Sequence, residues 1–507
     1  MHKILDKQEG YSLQCLRYFA RNKRSTSIDL QKMSEALDWN RRALAKNLDC
    51  LQDDIQKNDW GTHLNFTYNT SSITLEISPL FSIDFFATHY IETNIQFQFC
   101  HAIFNDEFVS FQDFTDNNFI TKATMYRKLN RLKELLEAFE VSLDLTKHER
   151  LIGEEHQIRY FFYCLFTDAY HFLTDFAHNV DSNLLDDLLA NIHAHTPLMP
   201  YSSLLKLRTF LAITISRIKQ GFILDHSSPL PDISTVILTK TDVEAWVANT
   251  FSTVLGLTDE QVAAEVNGMH FMISTLNVYP LAYFENINFT PFNAASLFKV
   301  EAEQFINCYC DYFNKSLTAT EYAHLQVNLI AINAHIKHVK GSEHNSRMQL
   351  NLKTVMERHP LTFETCASFF TYLEEQTHIV LNNASKVQYF LLLRDAIRFM
   401  HKPLRVCLLS KITDSQHVFL KTILQQSTQI PLQFIPYPDE TVDLYISDFQ
   451  VQHLEERYPN ALFYFWSSMP EEQEWVYILD ILHKTYHEKG VATLITTQKK
   501  RLEDYVL

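Results

Sequence analysis

Three observations predict a mainly α-helical, multi-domain chain. The 507 residues exceed what one ordinary core can organise, so roughly three to five domains of about 100 to 150 residues each are expected. Hydrophobic residues make up 46% of the chain, and clusters such as Tyr160-Phe-Phe-Tyr163 read as buried helix faces. Only 8 glycines occur, so the Gly-rich phosphate cradles of P-loop and dinucleotide-binding enzymes have almost nothing to be built from. Neither G-x-G-x-x-G nor G-x-x-x-x-G-K-S/T is present.

Residues 11–57 read as three helices. The first runs from Tyr11 to Arg21, the second from Ile28 to Leu37 after the capping run Ser25-Thr-Ser27, and the third from Asn40 to Gln56, with a turn at Asp38-Trp39. Leu64 to Asn69 and Ile73 to Ile77 then alternate apolar and polar residues around Thr70-Ser-Ser72, as a β-hairpin should. Helices plus hairpin make a winged helix-turn-helix.

The plan repeats from Ile95: a helix to Phe104, a second from Ser110 to about Asn117, a basic helix from Thr121 to Phe139, and a strand from Val141 to Leu145. Arg150-Leu-Ile-Gly153 closes this second wing, and Gly61 and Gly153 each follow a basic helix where a tight turn is wanted. The two basic helices are near-repeats about eighty residues apart, Asn40 to Leu51 and Thr121 to Leu132. In each, a capping residue (Asn40, Thr121) precedes a basic first turn, and apolar residues follow on one face: Leu44, Leu48 and Leu51, then Met125, Leu129 and Leu132. Arg41, Arg42 and Lys46, and Lys122, Arg127, Lys128 and Arg131, are thereby expected to point outward, with Thr124 beside them in the second first turn. Such helices are expected to enter a major groove of duplex DNA, with the preceding helix across the backbone.

A third helical system begins at Glu154 and runs to about residue 400, divided into two bundles by breaks at Pro197, Pro200, Pro229, Pro231, Pro280 and Pro291. After Pro403 the pattern changes to short β-rich runs separated by helices: Leu404–Leu409, Leu432–Ile435, Val442–Ile446 and Ala461–Trp466. That alternation predicts a parallel-sheet α/β domain. The basic run Lys499-Lys-Arg501 reads as a solvated end.

A net charge of −16 alone argues against nucleic acid, since DNA affinity comes largely from neutralised phosphates. The distribution of charge argues the other way: Arg17, Arg21, Lys23, Arg24, Arg41, Arg42 and Lys46 gather near the N-terminus, residues 61–120 contain no Lys or Arg, and most of the surplus of acid lies beyond residue 150. Small basic faces on an acidic body imply local, salt-sensitive DNA contact. The 8 cysteines form no C-x-x-C pair, the N-terminus lacks the apolar core of a signal peptide, and no stretch reaches the ~18 uninterrupted apolar residues of a membrane span. A reduced, cytoplasmic setting with no membrane contact is expected. No nucleophile elbow, no H-E-x-x-H and no clustered catalytic carboxylates occur, so the chain is not expected to be an enzyme, and no cofactor is implied.

Two segments carry a family resemblance. Ile120-Thr-Lys-Ala-Thr-Met-Tyr-Arg-Lys-Leu-Asn-Arg-Leu-Lys looks like the central recognition helix of the Mga-type virulence regulators of Gram-positive bacteria, which include the AtxA-like proteins. Leu151-Ile-Gly-Glu-Glu-His-Gln-Ile-Arg-Tyr-Phe161 looks like the segment leading out of it. The resemblance implies five domains: winged helix-turn-helix modules at 1–85 and 86–165, helical phosphotransferase-regulation (PRD-like) domains at 166–290 and 291–400, and an enzyme IIB-like α/β domain at 401–507. It also implies a homodimer formed through the C-terminal domain, promoter DNA as partner, and modulation by sugar-phosphotransferase proteins that phosphorylate histidine.

Histidine is the side chain whose charge changes near neutral pH, and its nitrogen can carry a phosphoryl group. His324 and His335, eleven residues apart on one helix, are the main acceptor candidates, and His193 is a third, with His195 nearby. Arg217-Ile-Lys-Gln-Gly221 resembles the end of a regulation-domain helix in which many relatives place a histidine seven residues before the Arg; here that position is Phe210. His335 and His338 lack an evident third ligand, and no metal is expected. Enzyme IIB domains phosphorylate a cysteine in the loop after their first strand, but here that loop, Leu409-Ser-Lys-Ile-Thr-Asp414, has neither Cys nor Gly, and Cys407 should be buried in the strand. The rivals to a DNA-binding regulator are an RNA-binding antiterminator linked to sugar phosphotransfer, a phosphorelay or transport-linked enzyme, and a protein-only adaptor.

Overall fold

The protein is described by a computed structural model. It covers residues 4–22, 27–147, 150–170, 176–195, 199–225, 230–235, 237–276, 279–285, 297–342, 360–398, 402–428, 430–450 and 453–506. The chain splits into two compact units, Met1–Glu303 with Leu317–Gln349, and Gln304–Ser316 with Leu350–Leu507. Lys23, Arg24, most of the capping run before Ser27, and Pro197, Pro229 and Pro291 lie outside the described residues.

In the first unit, α1 (Lys7–Arg21) opens with a capping box between Asp6 and Glu9 and buries Leu13, Leu16 and Phe19. Next come β1 (Ser27–Asp29), α2 (Leu30–Leu37), α3 (Arg41–Lys57), β2 (Leu64–Tyr68) and β3 (Ser72–Ile77). The hairpin forms where the alternation predicts it, and β1 completes an antiparallel sheet in the order β1-β3-β2. Ile28 therefore does not start a helix: it lies in the strand opposite Ile73, and the helix begins only after the Asp29 side chain accepts the amides of Gln31 and Lys32. Gly61 sits in a single 3-10 turn, Trp60–Thr62, just before β2.

A helix with no counterpart in the periodicity reading, α4 (Ile83–Glu92), then packs on α1. The Trp60 ring meets Phe86 of α4 at 4.9 Å between centroids. The second module is α5 (Ile95–Phe104), α6 (Phe111–Asn117), α7 (Lys122–Glu137), β4 (Ser142–Leu143) and β5 (Leu151–Ile152). Its wing is only two residue pairs long, shorter than the strand predicted to Leu145. Asp144 ends it by turning its carboxylate back onto the amide of Thr146, at 2.9 Å. Gly153 then lets the exit strand run close, since a Cβ there would lie 2.9 Å from the Glu140 carbonyl oxygen.

The long helix α8 (Glu155–Tyr170) is buried on all sides from His156 to Ala169. It packs on α4, and it is followed by α9 (Ser182–His195), α10 (Tyr201–Lys219), α11 (Lys240–Thr253), α12 (Asp259–Leu276), α13 (Leu297–Phe313), which belongs to the second unit from Gln304 on, and α14 (Ala319–His338). α10 lies against α8 and α9, and α12 lies against α11 and α14.

In the second unit, α15 (Pro360–Thr377) and α16 (Asn383–Arg398) pair, with Phe369 of α15 5.4 Å from Phe305. There follow β6 (Leu404–Leu409), α17 (Asp414–Ser427), β7 (Leu432–Phe434), β8 (Leu444–Ser447), α18 (Leu454–Arg457), β9 (Leu462–Phe465) and α19 (Glu472–Val506). The four strands are parallel in the order β7-β6-β8-β9, as the alternation of strands and helices predicts. Their core holds Val406, Leu420, Leu424, Ile446, Trp466 and Ile478. The run Lys499–Arg501 falls on the last turns of α19, where side chains are outside the described residues. Among the described residues no helix is long and apolar enough to cross a membrane, and no group of three His, Cys, Asp or Glu could hold a metal ion.

Candidate nucleic-acid interface

The two basic helices are entered by the same backbone device. α2 ends with Asp38 in the left-handed conformation (φ 54°), its amide bonded to the Glu35 carbonyl at 3.2 Å and the Trp39 amide to Ser34 at 3.0 Å. α6 ends with Phe119 at φ 52°, its amide bonded to Asp116 at 3.2 Å and that of Ile120 to Thr115 at 3.0 Å. Both are Schellman closures, which satisfy the orphan carbonyls at a helix end. One residue later each new helix is capped. Asn40 Oδ1 accepts the Ala43 amide at 2.8 Å, and Thr121 Oγ1 accepts the Thr124 amide at 3.2 Å.

The apolar faces are buried as the spacing predicts, with Leu44, Leu48 and Leu51, and Met125, Leu129 and Leu132, in the core. Asn40, Arg41, Arg42 and Lys46 are exposed on the first helix, and Thr121, Lys122, Arg127 and Arg131 on the second. Neither first turn contains an acidic residue. Unpaired amides, the helix dipole and side-chain cations therefore add with one sign, which is the electrostatics of an anion site. Arg41 is steadied by Gln31 of α2 at 2.9 Å, and Arg127 by Thr124 Oγ1 at 3.3 Å.

Lys128 departs from the outward orientation expected of it. Its ammonium bridges both carboxylate oxygens of Asp6, at 2.7 and 2.9 Å, and its carbonyl accepts from Gln96 Nε2 at 2.7 Å. Asn94 Nδ2 donates to Glu9 at 3.2 Å beside this pair. These contacts fix α1 to α5 and α7, so Lys128 joins the two modules. Asp49, which dilutes the charge of α3, is likewise engaged: it accepts from the Tyr68 hydroxyl of the first wing.

The candidate histidines lie in three settings. His193 is exposed on α9. His324 is half-buried on α14, its ring 5.4 Å from Phe284, and burial lowers its pKa. His335 is enclosed: it is 5% exposed, with Nε2 3.0 Å from Ser342 Oγ and the Tyr160 ring at 5.5 Å, so its ring nitrogens are not presented to a phosphoryl donor. Burial pushes His335 down to about 4 from 6.5. A histidine that binds its proton less well when folded than when unfolded stabilises fully above the unfolded value, and that contribution is lost as pH falls through the folded value. Stability should therefore decline between about pH 6.5 and 4. His335→Gln should flatten that decline in denaturant unfolding measured across the window, and unchanged slopes would exclude His335 as its source.

Phe210 is buried, and Arg217 is paired with Glu155 Oε2 at 2.7 Å. In the second unit Cys407 is fully buried, and burial pushes its thiol up to about 11. In the loop after β6, Ser410 Oγ donates to Asp448 at 2.6 Å and the Lys411 amide does so at 3.0 Å. Burial alone would raise the Asp448 pKa, but the hydrogen bonds from Ser410, Ser468 and the Lys411 amide outweigh it and hold the carboxyl below its ordinary range. A protein carboxylate thus takes the donors with which such a loop could hold an anion.

Periodicity missed two groups of residues. Phe119 and Tyr126 are large exposed aromatics at the start of α7, with the Tyr126 ring 4.6 Å from Phe111. Arg159, Glu155, Arg217 and Glu265 form a buried ionic cluster behind the second module. The only sequence signal for the cluster was the Glu–Arg spacing within the exit segment.

Residues 79–166 match the family model described as the Mga helix-turn-helix domain. The chain carries an Mga helix-turn-helix domain. The matched span takes in α4 to α7, both strands of the second wing and most of α8, so the Mga domain includes the exit helix as well as the basic one. The chain is also similar to a Streptococcus pneumoniae serotype 4 protein named "Putative trans-acting regulator", with 24% identity over 277 residues. That alignment covers 54% of this chain, which in turn spans about half (54%) of the relative's length. Both findings support the Mga-type regulator family.

Proposed function

We propose that this chain is a DNA-binding transcription regulator of the Mga type, contacting duplex promoter DNA through α7 and, in a second contact, through α3. The observation that carries this reading is the agreement of the Mga match with a capped, acid-free helix start that presents Lys122, Arg127 and Arg131 to solvent. The Asp6–Lys128 contact supports a joint action of the two modules, because it ties α7 to the start of α1, the helix on which α3 packs.

The finer reading keeps two winged modules (1–85 and 86–165), two PRD-like domains (166–290 and 291–400) and an enzyme IIB-like domain (401–507). In it the last domain no longer carries phosphate and serves self-association; the exposed Leu462 and Phe465 of the edge strand β9 favour a homodimer. Phosphotransferase input through histidine would act first at His193, which is exposed, or at half-buried His324. The site of action is the cytoplasm.

Binding to labelled promoter-length duplex, followed by fluorescence anisotropy over a salt series, tests the reading. If the exposed cations Arg41, Arg42, Lys46, Lys122, Arg127 and Arg131 each meet a phosphate, affinity falls about a thousandfold between about 50 and 200 mM salt. Arg127→Ala with Arg131→Ala should reduce the log–log slope by about two, and Arg41→Ala with Arg42→Ala reports separately on α3. Binding that ignores both salt and these substitutions would leave the protein-only adaptor as the better account.

A further inference from the structure

The turn into α7 contains a residue that the fold does not explain. Phe119 is 98% exposed, and its backbone is left-handed at φ 52°. That conformation crowds any Cβ, and it is an outlier for a bulky side chain, although Asn and Asp tolerate it. The first module shows the inexpensive solution: the equivalent position, with the same two closing hydrogen bonds, is Asp38. In the second module the same strained position carries a large aromatic ring that gains nothing from packing. A strained, solvent-facing residue beside a charged surface points to a ligand contact, not to stability.

We propose that Phe119 is a base-contacting residue of the Mga domain, making an apolar contact with the C5-methyl group of a thymine at the edge of the major groove entered by α7. The proposal rests on the reading of α7 as a DNA-contacting helix. Phe119 precedes the cap Thr121 by two residues, and Lys122 and Arg127 stand exposed on the same helix start. Cations that anchor to phosphates put the turn against the groove wall. In the major groove, the thymine methyl is the feature an apolar side chain can read, and it is absent from a G·C pair. Ile120, half-buried directly after Phe119, anchors the turn so that the ring is held outward. A carboxylate at the matching place, Asp38, makes no such contact, so this apolar readout belongs to the second module alone.

The test uses the full chain and a labelled duplex enriched from a random pool by the wild-type protein, alongside the same duplex with deoxyuridine in place of thymidine. Wild type should bind the uracil duplex about fourfold more weakly, the worth of one buried methyl group. Phe119→Asn, which suits the left-handed conformation and should unfold like wild type, should bind the thymine duplex more weakly and lose the thymine-to-uracil difference. Its salt slope should be unchanged, because no cation is removed. If Phe119→Asn keeps the wild-type affinity and thymine-to-uracil ratio while Arg127→Ala weakens binding, the proposal falls and the DNA reading stands; the ring then serves a protein partner. A wild-type ratio of one likewise overturns it. Absence of salt-dependent binding by wild type overturns both.

Discussion

Glu265→Ala is expected to destabilise the first unit by about 3–5 kcal/mol, the usual effect of removing one partner from a buried ion pair. Glu265 is fully buried on α12, and its two oxygens accept Arg159 Nη1 at 2.6 Å and Nη2 at 2.8 Å. It also accepts the Leu224 amide, at 2.8 Å. Glu155 shares the remaining charge, taking Arg159 Nε at 2.9 Å and Arg217 Nη2 at 2.7 Å. Two arginines and two glutamates cancel, which is what makes the cluster tolerable inside the protein. Burial alone would lower the Arg159 pKa, and Glu265 with Glu155 more than reverses that, holding the guanidinium firmly charged. Loss of Glu265 leaves this charge without its main partner. The double change Arg159→Met with Glu265→Leu removes both charges and should recover most of the loss. Urea unfolding of the full chain, read by helix content, measures both; a loss under about 1 kcal/mol for Glu265→Ala would show that water or rearrangement compensates the arginine. The effect should reach the Mga domain, because α8 also places Phe162 4.8 Å from Phe104 and Phe161 5.4 Å from Phe139.

What the sequence disclosed follows the range of the forces involved. α5 appears with the predicted ends, and α3 and α7 within about two residues of them, because caps and apolar periodicity are local signals. The parallel sheet was legible from short apolar runs separated by helical ones. β1 was not, because Ile28 becomes a strand only through the partner strand β3, more than forty residues on. α4 escaped because residues such as Phe85, Phe86, Tyr90 and Ile91 make it apolar with little periodic contrast, and its place is set by Trp60, α1 and α8. At the candidate interface, caps and outward cations could be read from spacing, whereas the inward turn of Lys128 depends on Asp6, far away in sequence. Phe119 could not be singled out by residue type: its significance lies in a backbone angle and in the absence of packing.

Gly341→Ala is expected to cost about 2–4 kcal/mol, and the reason connects α14 to the Mga domain. Gly341 has φ +81°, which disfavours any Cβ by about 1 kcal/mol. A Cβ there would also lie 2.5 Å from the ring of Phe139, adding an overpacking term of about 1–3 kcal/mol. The ring cannot easily yield: Phe139 is fully buried just beyond the end of α7, and its carbonyl accepts from Gln157 Nε2 at 3.0 Å. The same Gln157 takes the Lys340 amide at 3.2 Å, and the Tyr160 hydroxyl donates to Ser342 at 3.3 Å. The segment after α14 is thus laid directly on the end of α7 and the start of α8. Gly221 supplies the control, since it has a similar φ of +87° with no atom within 4 Å of its hypothetical Cβ. Gly221→Ala should lose only the conformational part, about 1 kcal/mol, so the difference between the two variants in denaturant unfolding isolates the Phe139 collision. Equal losses would mean that the ring moves without cost and that the end of α14 does not constrain α7. Unequal losses in the expected order would make this glycine the close contact through which a shift of α14, the helix carrying His324 and His335, must displace the end of α7.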